Sequence, residues 1–74
     1  MDYAATDRAM SRYVVRLERA GQTFPMWIAD NQSESATDIP ERRKIYRDAT
    51  DARMSIFRLC DEWPSFRLWA EPAA

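Results

Sequence analysis

Residues 12–29 read RYVVRLERAGQTFPMWIA, and this stretch decides the fold class. Tyr13, Val15 and Leu17 recur at every second position, which is the period of a strand with one buried face. Tyrosine and valine also favour strands over helices. Gly21 is the only glycine of the chain and can adopt the left-handed backbone that a tight turn needs. The stretch therefore predicts two strands joined by a turn.

The predicted hairpin has strands at residues 12–19 and 23–29. Because Pro25 has no N–H to donate to a neighbouring strand, we expect the second strand to lie at an edge of the sheet. A further alternating segment at residues 65–70 predicts a third strand.

A long helix is predicted near residues 39–62. Asp38 is a suitable N-cap, and Glu41 follows three positions later, which completes a capping box. Pro40 fits the first turn, and Pro64 ends the helix one residue earlier. The apolar residues of this segment follow steps of four and three and form one stripe: Ile45, Ala49, Ala52, Ile56, Leu59 and Trp63.

These elements predict an α+β domain in which a small three-stranded antiparallel sheet packs on one long helix. The topology is ββαβ with strand order 2-1-3. Residues 1–74 form a single small domain, residues 31–37 a mobile loop and residues 71–74 a frayed tail. A short helix is expected within residues 2–10.

An all-α fold of three helices is the alternative. Gly21 could close a helix as well as a hairpin, because both endings use a left-handed backbone. The helices would then lie near residues 3–20, 24–31 and 40–62.

Alternation along the strands assigns the side chains to two faces of the sheet. Val14, Trp27 and Trp69 point away from the helix, with Arg16 and Arg67 near them. An apolar patch of this kind usually marks a partner site, unless the chain's own residues 3–10 cover it. The face toward the helix carries Tyr13, Val15, Leu17, Phe24, Met26, Ile28, Phe66 and Leu68.

Composition argues against catalysis and against metal or cofactor sites. The chain has 74 residues, no histidine, one cysteine and one glycine. It therefore lacks the most common catalytic base, cannot form an intramolecular disulfide and has no glycine-rich phosphate-binding loop. We expect Cys60 to be a small buried residue. The N-terminus has no signal-like segment and no stretch is long enough to span a membrane, so a cytoplasmic protein is expected.

Aromatic residues and arginine are the types enriched at protein interfaces, and the chain is rich in both. It has nine aromatic residues, ten arginines and a net charge of −1. A basic run near the predicted helix start opposes the helix dipole, which indicates a role other than helix stability. The candidate partner-binding residues are Trp27, Trp69, Tyr46, Arg42, Arg43, Lys44, Arg47, Arg16 and Arg67.

The composition and these candidates favour a small non-catalytic protein-binding module that inhibits or regulates a larger protein complex, for example a bacterial one. Phage- or plasmid-type inhibitors such as the anti-CRISPR proteins have this character. The alternative is a nucleic-acid-binding regulator that places Arg42, Arg43, Lys44 and Arg47 on phosphates. Homodimerisation is a further possibility that the sequence leaves open. The basic run could equally be a solvated helix face paired with acids through Lys44–Asp48, Arg47–Asp51 and Arg58–Glu62.

Overall fold

The computed structural model describes residues 12–73, and within them one helix packs on a four-stranded antiparallel sheet. The strands are β1 (Tyr13–Glu18), β2 (Met26–Ile28), β3 (Ala36–Thr37) and β4 (Arg67–Pro72), the helix is α1 (Ala49–Leu59), and a 3₁₀ turn spans Pro40–Arg42. The sheet order is β3-β2-β1-β4. The α+β class is confirmed, and the all-α alternative is wrong. The helix expected within residues 2–10 lies outside the described residues.

The predicted hairpin forms between β1 and β2. Leu17 pairs with Met26 in antiparallel register, and Gly21 takes a φ of 85°, which requires glycine. The side-chain amide of Gln22 donates to the carbonyl oxygens of Leu17 and Phe24 at 2.9 and 2.8 Å, which closes the connection.

The expectation that β2 is an edge strand is wrong, because β2 pairs with β3 as well as with β1. Pro25 immediately precedes β2, so its missing N–H removes no hydrogen bond from the sheet. The partner β3 consists of Ala36 and Thr37, which we had placed in a mobile loop. The predicted loop at 31–37 therefore ends at Ser35.

β4 is the predicted third strand and lies beside β1, as the order 2-1-3 requires. It pairs with β1 over six residues, from Glu18–Arg67 to Tyr13–Pro72. Beyond the strand, the N–H of Ala73 donates to the carbonyl oxygen of Arg12 at 2.9 Å. The frayed tail expected at 71–74 is therefore wrong for residues 71–73, and Ala74 lies outside the described residues.

The prediction of a long helix near residues 39–62 is wrong for the first half of that range. α1 begins at Ala49, and the side chain of its N-cap Asp48 accepts a hydrogen bond from the N–H of Asp51 at 2.8 Å. The expected capping box at Asp38 is replaced by the 3₁₀ turn, which has no side-chain cap. A helix uses the backbone carbonyl and N–H groups of its residues for its own hydrogen bonds. Residues whose backbone groups are hydrogen-bonded to the sheet therefore cannot be part of the helix.

Residues 43–46 are extended and continue the sheet where β2 is too short. The N–H of Lys44 donates to Ile28 O at 2.9 Å. Tyr46 and Tyr13 exchange two backbone hydrogen bonds of 2.7 and 3.0 Å. These bonds to the sheet satisfy the same backbone groups that a longer helix would have used.

The core lies between α1 and the predicted face of the sheet. Ala52 and Leu59 of the predicted stripe are fully buried, whereas Ile45 is 48% exposed because it precedes the helix. Cys60, expected to be buried, is exposed at the end of α1. The buried cluster is Val15, Leu17, Ile28, Tyr46, Ala52 and Leu59, and Tyr13, Met26, Ile56, Trp63, Phe66 and Leu68 pack against it.

Tyr46 and Ser55 form a buried polar contact inside this core, with 2.9 Å between their hydroxyl oxygens. Tyr46→Phe should lower the free energy of unfolding by about 1 kcal/mol, because the Ser55 hydroxyl loses its closest partner. We expect Tyr46→Phe combined with Ser55→Ala to cost less than the sum of the single changes, because the double variant leaves neither hydroxyl behind. Urea unfolding of the four proteins measures this coupling, and purely additive losses would contradict it.

Candidate binding surfaces

The sheet face that points away from α1 carries a row of guanidinium and indole groups. Arg16 of β1 is directly opposite Trp27 of β2 and Trp69 of β4, so the three side chains share this face. The Arg16 Cζ atom lies 5.9 Å from the ring centre of Trp27 and 5.4 Å from that of Trp69. Both distances are within the range of a cation–π contact.

Two further arginines extend the row at its ends. Arg43 Cζ lies 5.1 Å from the Trp27 ring centre, and Arg67 Cζ lies 4.8 Å from the Trp69 ring centre. We call Arg43, Trp27, Arg16, Trp69 and Arg67 the Arg–Trp ladder. Sequence alternation placed four of these residues on one face, and the structure brings Arg43 to them through the extended segment 43–46.

The indoles of the ladder are less exposed than surface anchors would be. Trp27 is 7% exposed, Trp69 is half-buried and their neighbour Val14 is fully buried. Arg67 is the exposed end of the row. The ladder therefore presents guanidinium groups, supported by indole rings, more than it presents bare apolar surface.

The ladder has an excess of positive charge and of hydrogen-bond donors. Two acidic residues share this face: Glu71, with 3.6 Å between its Oε1 and the Nη1 of Arg16, and Glu18, which is directly opposite Arg67. Arg43 Nε donates to the uncharged carbonyl of Pro40 at 2.8 Å. Arg16 Nε and Trp27 Nε1 are buried and have no hydrogen-bond partner among residues 12–73. Leaving a buried donor unpaired costs about 1–3 kcal/mol, so an added acceptor would be favourable here.

The basic run at 42–47 does not form one cationic surface. Arg42 is exposed at the 3₁₀ turn, and Arg43 joins the ladder. Lys44 Nζ lies 3.8 Å from Glu34 Oε2, and Arg47 Nη2 lies 3.3 Å from Asp51 Oδ2. Placing these four cations in the first turns of a helix was wrong.

Tyr46 is a core residue, with 6% of its surface exposed, so the expectation of a surface anchor there is wrong. Burial is the main reason why the pKa of its phenol is raised above the ordinary value of 10.0.

Glu34 joins the loop before β3 to α1, and sequence reasoning missed this role. Its carboxylate accepts two hydrogen bonds from Arg58 at 2.6 and 2.7 Å. Lys44 Nζ lies 3.8 Å from Oε2 of the same carboxylate. The hydrogen bond from Arg58 is the main reason why the pKa of Glu34 is lowered. Glu34 and Arg58 are 24 positions apart, so no local spacing indicates the pair. Of the three predicted i,i+4 pairs, Arg47–Asp51 is present among the described ion pairs.

An open groove lies between residues 44–47 and α1, with a volume of about 830 Å³. Phe57 is 84% exposed, Met54 67% and Ile45 48%, and all three line it. They are three of the five large apolar side chains that are exposed among the described residues. We call this feature the α1 groove, and its lining is Lys44, Ile45, Tyr46, Arg47, Asp51, Met54, Ser55, Phe57 and Arg58.

Further observations bear on the function. Within residues 12–73, no three His, Cys, Asp or Glu side chains come close enough together to hold a metal ion. In the same part of the chain, no helix has the length and apolar character needed to cross a membrane. Comparison with protein-family models, curated proteins and solved structures finds no match. The Arg–Trp ladder and the α1 groove are therefore the two candidate functional surfaces of the described residues.

The Glu34–Arg58 pair predicts how stability depends on pH. A carboxylate with a lowered pKa stabilises the fold above its ordinary range, near 4.5, and this contribution is lost as the pH falls through the folded-state value. We expect Glu34→Gln to have a lower Tm than wild type at pH 7. The difference should shrink progressively below about pH 4.5, because wild type then loses the same charge.

Thermal unfolding followed by circular dichroism between pH 7 and pH 3 measures this difference. Glu41→Gln is the matched control, because Glu41 is exposed and has no ion pair among the described residues. A Tm difference for Glu34→Gln that stays constant across the range would contradict the assignment.

Proposed function

We propose that the chain is a non-catalytic protein-binding module that inhibits or regulates a larger protein by occupying one of its surfaces. The supporting observation is the clustering of Ile45, Met54 and Phe57 along the α1 groove. The proposal includes phage- or plasmid-type inhibitors of bacterial complexes, such as anti-CRISPR proteins, because occlusion of a surface requires no catalysis.

The exposed side chains of the groove contribute little to the fold of the chain itself. Ala52 and Leu59, on the opposite side of α1, supply the fully buried contacts with the sheet. Exposure of Phe57 and Met54 to water is unfavourable in the free protein and would be relieved by an apolar partner. Aromatic residues and methionine are enriched at the centres of protein interfaces.

Charged groups surround the apolar centre of the groove. Arg47 pairs with Asp51 on one side, and Arg58 and Lys44 pair with Glu34 on another. Because these cations already have carboxylate partners, they can form a polar rim without demanding a charged partner. An apolar centre inside a polar rim is the usual anatomy of a protein–protein interface. The expected occupant is therefore an apolar segment of the larger protein.

The alternative proposal, a nucleic-acid-binding regulator, has less support from the geometry. It requires Arg42, Arg43, Lys44 and Arg47 side by side on phosphates. Arg43 instead lies over the Trp27 ring, Lys44 turns toward Glu34, and Arg47 pairs with Asp51. A continuous cationic track, on which nucleic-acid affinity mainly depends, is not formed by these residues.

Phe57→Ser should weaken binding to the larger protein at least tenfold, because Phe57 is the most exposed apolar side chain of the groove. Phe24→Ser is the matched control, because Phe24 is 51% exposed but does not line the groove. The measurement is affinity capture from a bacterial lysate with identification of the captured protein, followed by calorimetry with that protein purified.

Both variants should retain the circular dichroism spectrum of wild type, because neither side chain is buried. Equal binding by wild type and Phe57→Ser would contradict the proposed role of the groove. Light scattering coupled to size exclusion adds a second check. A dimer that Phe57→Ser dissociates would mean that the groove binds a second copy of the chain.

A further inference from the structure

The Arg–Trp ladder contains hydrogen-bond donors that the fold does not use. Arg16 Nε and Trp27 Nε1 are both buried, and neither has an acceptor among residues 12–73. Both atoms can only donate, so an acceptor for them has to come from outside residues 12–73. The two residues are directly opposite each other on β1 and β2, so the unused donors lie in one row.

The charge of the ladder indicates that this acceptor is an anion. Three guanidinium groups stand in the row, from Arg43, Arg16 and Arg67, and they outnumber the two carboxylates of the same face, Glu71 and Glu18. The 3.6 Å between Arg16 and Glu71 exceeds the length of a good hydrogen bond. Arg67 has no ion-pair partner among the described residues.

The position of the arginines over the indole rings also prepares them for binding. A guanidinium group that lies over an indole ring directs its N–H groups away from the ring, and pairs of them match the two oxygens of a carboxylate. Arg43 keeps its Nη groups for this purpose, because its Nε already donates to Pro40 O. Contact with Trp27 and Trp69 restricts the arginine side chains before a ligand arrives, so less conformational entropy is lost on binding. The ladder is therefore a preorganised set of carboxylate receptors.

We propose that the Arg–Trp ladder binds Asp and Glu side chains of an acidic segment in the partner protein. This inference deepens the proposed function and rests on it, since it assigns partner chemistry to a second surface of the same module. The α1 groove would supply apolar contact, and the ladder would recognise charge. The extended segment 43–46 reaches both surfaces, with Arg43 in the ladder and Lys44 in the groove.

An acidic protein segment fits the ladder better than a nucleic acid does. Binding of single strands depends on bases that stack on open aromatic rings. Trp27 is 7% exposed, and each indole of the ladder already has two guanidinium groups within 6 Å of its ring centre.

The experiment is a titration of the full-length ¹⁵N-labelled protein with a ten-residue peptide of alternating Glu and Ser. We expect saturable shifts of the Trp27 and Trp69 indole N–H signals, because an acceptor approaches these groups. The Trp63 signal should stay in place, because Trp63 packs in the core on the other side of the sheet. The same peptide with Gln in place of Glu should produce no saturable shift, and equal binding of both peptides would overturn the proposal.

Arg67→Gln should weaken binding of the Glu peptide at least fivefold, because it removes an exposed guanidinium from the row. Arg16→Lys should also weaken it, since lysine keeps the charge but lacks the Nε donor and the planar fork. Arg53→Gln on the exposed side of α1 is the matched control and should bind as wild type does. Wild-type affinity in Arg67→Gln, or equal losses in Arg67→Gln and Arg53→Gln, would overturn the proposal.

The remaining outcomes separate other occupants from the acidic segment. Tighter binding of a ten-nucleotide single strand than of the Glu peptide would overturn the proposal in favour of nucleic acid. A dimer that Arg67→Gln dissociates would overturn it in favour of a second copy of the chain. Phe57→Ser should bind the Glu peptide normally. If the Glu peptide does not bind but capture of the partner still depends on Phe57, only the ladder proposal is rejected. If the Glu peptide binds but capture does not depend on Phe57, the proposed role of the groove is rejected instead.

Discussion

The backbone pairing of Tyr46 with Tyr13 determines most of what is distinctive in this structure. Two hydrogen bonds of 2.7 and 3.0 Å hold residue 46 against β1, so the chain stays extended until Asp48 caps α1. The same pairing places the Tyr46 side chain under α1, where it meets Ser55. If these bonds were replaced by two more helical turns, the sheet would lose its continuation beyond β2 and the core would lose the buried hydrogen bond between Tyr46 and Ser55.

Both candidate surfaces follow from that extended segment. Successive side chains of an extended chain point to opposite sides, so Arg43 joins the row of indoles while Lys44 turns toward Glu34 and α1. Ile45 precedes α1, so it is 48% exposed at the margin of the groove and does not join the buried stripe of a helix. A helix through residues 43–48 would have distributed these side chains at intervals of about 100° around one axis and would have formed neither surface.

The sequence contained enough information to predict three of the four strands and the two faces of the sheet. The period of two in β1 is a local signal, and it correctly separated Val15 and Leu17 from Arg16. The apolar stripe from Ala52 to Leu59 is also a local signal, and it predicted this part of the helix. The start of α1 could not be predicted, because Asp38 with Glu41 and Asp48 with Asp51 are both acceptable caps. Sheet hydrogen bonds to residues distant in sequence decided between them, and no short window shows such bonds. The α1 groove could not be predicted for the same reason, because its lining depends on where α1 begins.

Glu34 shows how one position can satisfy two opposed requirements. Its φ of 49° lies in the left-handed region, where a residue with a Cβ atom is disfavoured by about 1–2 kcal/mol. Glycine would adopt this backbone without strain but could not hold Arg58 and Lys44. Aspartate or asparagine would tolerate the backbone better but has a shorter reach. The side chain at this position is therefore a compromise in which electrostatic contact outweighs local conformational preference, and the loop before β3 keeps its shape because α1 holds it there.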